Sequence, residues 1–367
     1  MAPRPDWNLR MVRSREARQL LPKLPGAPER VDWRGLRVGH LDTGYTEHPV
    51  FGDWPTGDVW IRHEDGLNLR EGGSDAHDPL DYEGNPGHGT RTCSLLCGDA
   101  QLLPSGELPE SEIGVAPRLP VVPCRIVNRV VLTPERNREA VAEGIKHARA
   151  KGCQVLSISL GMPFFPPNRT GGMGRAVDRA YEDGVIVVAA GGQVISSVTY
   201  PAKYGRTIGV GGVTWQRRIW FDYDAGQRMI DVWAPAQGVM RADSLAPAGK
   251  DVLPPIEADD PGAFSLSPGS HSGSYAKGDG TSYATVHVAA AAAMWLLLRG
   301  DDIDRTYGRA WQRVEAFRRL LRTTARPVNG AAPANRTGVL DIEKLLLAAL
   351  PPAAGLTKAA PDKDKWA

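Results

Sequence analysis

Cysteine is scarce: four residues in 367, Cys93, Cys97, Cys124 and Cys153, with neither the density of a disulfide scaffold nor the spacing of a metal site. They read as buried free thiols in a reducing compartment. An excess of charge of one sign is lacking as well. The 44 Lys and Arg against 42 Asp and Glu leave a net charge of +2, with no basic block or polybasic arm, which argues against nucleic acid or a membrane surface as partner. No apolar run reaches the length needed to span a bilayer, the longest being Val288 to Leu298. The first residues, MAPRPDWNLRMVRSREARQ, contain no apolar h-region, so no signal peptide is expected and the expected location is the cytoplasm. No internal repeat is found.

What is present is a large apolar fraction, 42% of residues, ample for a core. Apolar runs alternate with amphipathic segments. The patterning predicts strands over 36–41, 121–127, 154–160, 185–190 and 207–213. Helices are expected after His88, from Pro134 to a stop at Gly152, over 174–181 and over 311–321. Such alternation predicts a single α/β domain, a doubly wound, mostly parallel sheet with helices on both faces. Residues 1–35 are expected to pack as an N-terminal arm through Trp7, Leu9 and Leu20, 36–350 to form the main domain, and 351–367 to be a flexible tail. Within the domain, 241–278 is rich in Pro, Gly, Ser and Asp and runs straight into Ser282, which makes it a candidate lid.

The stretch from Gly278 to Arg299, GDGTSYATVHVAAAAAMWLLLR, passes from a glycine-loosened loop into a helix apolar all round, hence a buried one. Ser282 sits at that junction, where free N–H groups and the helix dipole favour developing negative charge. An N-cap would also explain a serine there. Asp42 ends the first strand, His88 opens a helix, and Gln193 follows the strand over 185–190. In open parallel sheets ligands bind beyond the C-terminal strand ends, so these segments point to one crevice. An acid, an imidazole, an amide and a serine together are the inventory of nucleophilic acyl transfer.

LDTG around Asp42, GHGTRT around His88 and GTSYATVHVAAAAA around Ser282, in that order, resemble the three signatures of the subtilisin-like serine proteases. The likeness extends to Ser157–Gly161, Ala189–Gln193, Tyr200-Pro201-Ala202 and Val232–Pro235, and covers roughly residues 7–350. It implies a serine endopeptidase in which Ser282 attacks the scissile carbonyl, His88 carries the proton and Asp42 orients the imidazole. The resemblance also implies an oxyanion site built from Gln193 and the Ser282 N–H. It implies an extended peptide lying along Ser159, Leu160 and Gly161 on one side and Ala190 and Gly191 on the other. His287 belongs to the serine signature but reads as a core histidine.

Two positions depart from the family. Gln193 stands where an asparagine is usual, so its amide carries an extra methylene, and Val286 replaces a proline four residues after the serine. They motivate a second reading, a catalytically weakened subtilase fold that binds peptides or partners; a third keeps the acyl-enzyme but joins peptides as a ligase or macrocyclase. An unrestrained cytoplasmic protease would be hazardous, so control by a regulatory protein partner or a closed resting state is expected. No cofactor is required by this chemistry. Calcium is the one candidate, on Asp75, Asp78 and Asp81, whose spacing is not that of an EF-hand.

Overall fold

Seven short runs rich in Val, Ile, Leu and Ala, most of them without polar alternation, form the sheet at the centre of the molecule: β1 Val38–Asp42, β2 Leu67–Asn68, β3 Val121–Arg125, β4 Val155–Ile158, β5 Ile186–Ala190, β6 Ile208–Val213 and β7 Val232–Pro235. The computed structural model describes residues 3–99, 113–163, 171–223, 228–244, 275–330, 337–361 and 363–365. Most of the expected lid, residues 245–274, lies outside them. The strand order is β7-β6-β5-β4-β1-β3-β2, and every neighbouring pair is parallel. The doubly wound expectation therefore holds. From β1 the chain goes to β2 and β3 on one side and to β4 through β7 on the other, so the C-terminal end of β1 is the topological switch point. Asp42 is the last residue of that strand.

Alternation along β1 divides the helices between two faces. A Cβ on Gly39 would meet Ala148, and one on Gly144 would meet Leu41, so odd-numbered positions face the helix Pro134–Ala150. His40 and Asp42 face the other way, onto the helix His88–Cys97. Behind that helix lies a longer one, Thr281–Thr306, which also packs along β4 to β7. By length and composition this helix could cross a membrane, but 89% of its most apolar window is buried inside the protein, so it is the core helix expected from its composition.

The N-terminal arm lies against the body. Residues Trp7–Val12 form a short helix whose Trp7 indole donates to the Gly238 carbonyl, and Asn8 bonds the ring of His287 at 3.0 Å. His287 also donates from Nδ1 to the Tyr283 carbonyl and is fully buried, and burial pushes its pKa down to about 4. It is a satisfied core histidine.

The tail needs a correction. Residues 351–367 were expected to be flexible, yet their described part is tied down: Gly205 N–H donates to Lys363, Lys365 N–H to Lys203, and the Tyr200 hydroxyl to Asp364. The reason is electrostatic. Lys365 Nζ stands 2.7 Å from Asp231, a fully buried carboxylate that also pairs with Arg318. Burial alone would raise the Asp231 pKa, but these cations hold it far below the usual carboxylate range.

Candidate active site

Asp42 and His88 meet by way of a strand end and a helix start. Gly87, at the N-cap of the helix His88–Cys97, has φ 71° and no space for a Cβ, which Ser244 would strike, so glycine is required for the turn that delivers His88. His88 Nδ1 lies 2.8 Å from Asp42 Oδ1, which also accepts from the Thr43 N–H at 2.8 Å. Asp42 is fully buried; burial works to raise its pKa, and the His88 imidazole, with His40 and the Thr43 N–H, outweighs it and keeps the carboxylate ionised.

Two groups of residues that the sequence reading did not assign to this site support the pair. Asp78 is buried and takes four donors: Thr43 Oγ1 at 2.8 Å, Gly87 N–H at 2.8 Å, Leu80 N–H at 3.0 Å and the Tyr82 hydroxyl at 3.0 Å. Thr43 Oγ1 in turn accepts the Gly89 N–H at 3.0 Å. One carboxylate thus binds the turn after Asp42 to the first turn of the His88 helix, where the helix dipole also favours it. The second group lies on the other carboxylate oxygen. Thr92 Oγ1 is 3.3 Å from Asp42 Oδ2 and 3.0 Å from His40 Nε2. The signal for both was in the spacing. His40 precedes Asp42 by two on a strand and Thr92 follows His88 by four on a helix, so each shares a face with that neighbour.

The calcium candidates do not converge. Asp78 points inward as described, whereas Asp75 and Asp81 are exposed. Among the described residues no group of three or more His, Cys, Asp or Glu is placed to hold a metal.

Ser282 occupies the second position of the core helix, 8% exposed. Its Oγ donates to the Ser159 carbonyl at 3.1 Å, and the Ser159 hydroxyl donates back to the Ser282 carbonyl at 3.0 Å. Among the described hydrogen bonds none joins Ser282 to His88, so the aspartate–imidazole half of the expected triad is closed and the hydroxyl half is not. Gln193 lies beside Ser282. Its Oε1 accepts both the N–H of Thr281 at 3.0 Å and the Thr281 hydroxyl at 2.7 Å. Because an N–H needs an acceptor, the amide oxygen must face Thr281, which makes the NH₂ the opposite end, with no bond among the described hydrogen bonds.

A pocket opens next to Ser282. Ser159, Leu160, Gly161 and Ala190, which were expected to lie along a peptide, line it together with Gly192, Gln193 and Thr199. Gly191 does not. A Cβ there would strike the Tyr223 hydroxyl and Ile230, so it faces the interior and Gly192 takes its place on the wall. The expected substrate edge is also partly occupied: Gly161 N–H donates to the Val130 carbonyl at 2.9 Å and its carbonyl accepts from Leu132 N–H at 2.8 Å. The four cysteines are buried and free, and burial pushes the Cys153 thiol up to about 12.

A parallel α/β sheet with an aspartate at its switch point, an imidazole bonded to it and a serine opening the adjacent core helix defines the class of α/β serine hydrolases. The chain belongs to the subtilase family of serine peptidases: the family model Peptidase S8, described as the subtilase family, matches residues 34–339. It is 29% identical over 264 residues to the alkaline protease of Alkalihalobacillus alcalophilus, in an alignment that takes in 71% of this chain and 53% of that protein, so the chain spans about half the length of this relative. It is 27% identical over 304 residues to the major intracellular serine protease of Bacillus subtilis (strain 168), 80% of this chain and 77% of that one. Among solved structures, a protease from Pseudoalteromonas arctica matches with a TM-score of 0.66 at 20% identity, covering 93% of this chain and 96% of that one, a likeness of fold.

Proposed function

We propose that the protein is a serine endopeptidase that hydrolyses peptide bonds in protein or peptide substrates through an acyl-enzyme. Ser282 Oγ attacks the carbonyl carbon while His88 Nε2 takes its proton; the imidazolium then protonates the departing amine, and water repeats the sequence to release the acid and regenerate Ser282. Asp42 holds the Nδ1–H tautomer and stabilises the imidazolium. The oxyanion is bound by the Ser282 N–H at the start of the core helix and by the Gln193 NH₂. The observation that carries this reading is the buried 2.8 Å bond between Asp42 and His88, in a chain of the subtilase family with Ser282 at the pocket mouth.

The same site supports control by a closed resting state. Ser282 Oγ is engaged by Ser159, and the Gly161 edge that an extended peptide needs is bonded to Val130 and Leu132. Substrate, or a regulatory protein partner that binds first, has to displace both contacts. A cytoplasmic location fits the buried free cysteines and the similarity to an intracellular serine protease.

A fluorophosphonate probe tests the chemistry. It should label Ser282 in the parent and nothing in Ser282→Ala; absence of labelling with or without added peptide would favour a peptide-binding module instead. A proteome-wide comparison of new termini between parent and Ser282→Ala should then give cleaved products, whereas joined peptides would identify a ligase. Brisk turnover of generic peptides by the isolated chain would count against the closed state.

A further inference from the structure

His40 stands two residues before Asp42 on the same face of β1 and is only 3% exposed. Its Nε2 lies 3.0 Å from Thr92 Oγ1 and 3.7 Å from Asp42 Oδ2. The other ring nitrogen, Nδ1, is buried and has no hydrogen-bond partner among the described residues. Its register neighbours across the sheet, Pro123 on β3 and Ser157 on β4, do not ionise. Burial lowers the His40 pKa against the opposing pull of the Asp42 carboxylate, so at neutral pH the ring is uncharged and carries one proton.

Where that proton sits follows from counting donors. Thr92 has a single hydroxyl proton and three oxygens within reach: the His88 carbonyl at 3.0 Å, the Gly89 carbonyl at 3.2 Å and Asp42 Oδ2 at 3.3 Å. Both carbonyls belong to the helix His88–Cys97, where each already accepts the N–H four residues on. Asp42 Oδ2 has no other donor among the described hydrogen bonds, and as an ionised oxygen it gains most from one. With the ring proton on Nε2, Thr92 Oγ1 accepts it and is left to donate to Oδ2. With the proton on Nδ1, Nε2 draws the Thr92 hydroxyl away from the carboxylate, and Nδ1–H becomes a buried donor without an acceptor. The first arrangement leaves only an acceptor unmet, which proteins tolerate better than an orphaned N–H.

We propose that His40 is a positioning residue of the Asp42–His88 pair: as the Nε2–H tautomer it donates to Thr92, and Thr92 donates to Asp42 Oδ2, which fixes the carboxylate with Oδ1 toward His88. A neutral imidazole does this without adding a second cation, so the charge of Asp42 is left for the imidazolium that forms on His88. The inference rests on the peptidase reading for its effect on turnover; the tautomer and the bond between the pair are tested without it.

The first arm is a nitrogen–proton correlation spectrum of the histidine rings in the Ser282→Ala protein at alkaline pH. His40 should show a protonated Nε2 and a bare Nδ1, and His88 a low-field Nδ1–H signal from its bond to Asp42. That low-field signal should move upfield or broaden away once Thr92→Val is added. A protonated Nδ1 on His40, or a His88 signal indifferent to Thr92→Val, overturns the proposal whether or not the protein cleaves anything.

The second arm is turnover. His40→Leu, of similar volume but without a donor, should lower kcat by about tenfold or more with KM within about twofold, the mark of a displaced reacting group. His40→Gln places an NH₂ where Nε2 stands and should recover most of the loss, whereas His40→Asn reaches only as far as Nδ1 and should not. Thr92→Val should match His40→Leu, and the two together should cost little more than either, as members of one chain of bonds do. A parent-like kcat in His40→Leu, equal losses in the Leu, Gln and Asn variants, or losses that add with Thr92→Val overturn the proposal. The expected spectrum in a protein that turns over no peptide supports it and removes only the peptidase reading.

Discussion

Asp42 and His88 stand at hydrogen-bonding distance with each carboxylate oxygen accounted for, whereas Ser282 Oγ and Gln193 Oε1 bond the chain's own Ser159 and Thr281. Both halves lie at the same edge of the same sheet, and they differ in what supports them. The acid–base half is buried beneath Asp78, Thr43, Thr92 and His40, whose hydrogen bonds tie it to the strand end and the helix start. The Ser282 half faces a pocket, and its donors and acceptors are engaged by neighbouring protein groups. Under the proposed function, the proton-handling groups are preorganised, whereas the groups that would bind substrate are satisfied internally until it arrives.

The sharpest way to break this contrast is at Asp42. Asp42→Asn substitutes an amide for the acceptor facing His88 Nδ1 and should lower kcat by about 10⁴, through the wrong imidazole tautomer, while fold and substrate affinity persist. A parent-like kcat would show that the preformed half is ornamental. The next largest effect belongs to the nucleophile half. Gln193→Ala should lower kcat by about 10² to 10³ with little change in KM, and Gln193→Asn should keep or raise activity. If Gln193→Ala turned over like the parent, Gln193 would have only its structural bond to Thr281.

Asp78→Asn is milder. It places an NH₂ among donors that expect an acceptor and should cost about 1–3 kcal/mol of stability in denaturant titration. Its kcat should drop by about tenfold, because the Asp42 turn and the His88 helix lose their common clamp. Unchanged kcat in a destabilised protein would detach Asp78 from positioning.

The smallest effect on activity at neutral pH belongs to the core helix that carries Ser282, where the change is read in stability against pH. His287 has its pKa depressed to about 4 by burial, below the unfolded value near 6.5, so the folded state favours the neutral ring. Its contribution is therefore intact above about pH 6.5 and is lost as pH falls from about 6.5 toward 4, by up to about 3 kcal/mol. Urea titrations at about pH 7 and pH 4.5 should show this slope in the parent and a shallower one in His287→Gln; equal slopes would mean that His287 is not buried neutral.

The parallel sheet, its principal strands and helices and the sites of Asp42, His88 and Ser282 could be read from the chain because each is a local pattern. Runs buried on both faces carry no alternation, helical stripes repeat every 3.6 residues, and signature motifs are contiguous. Residues Leu67–Asn68, added as an edge strand, were not legible, since two residues carry no period. Gly191 and Gly192 are adjacent and chemically identical, so only the packing of Tyr223 and Thr199 decides which one lines the pocket. Asp78 looked like a metal ligand because an acidic stretch says nothing about which carboxylate turns inward. The tail looked frayed because the partner of Lys365, Asp231, lies far back in the chain, on the other side of the core helix in sequence.

By itself, then, the sequence determined the class of fold, the order of its elements and the identity of the candidate reacting groups, all of which are set by short-range periodicity and contiguous motifs. Only the tertiary structure decided which polar atoms are spoken for, that Asp42 Oδ1 holds His88 while Ser282 Oγ holds Ser159, and that Gly192 rather than Gly191 lines the pocket. Hydrogen bonds are directional and saturate, and residues far apart in the chain compete for the same donors and acceptors, so their outcome exists only once the whole chain has packed.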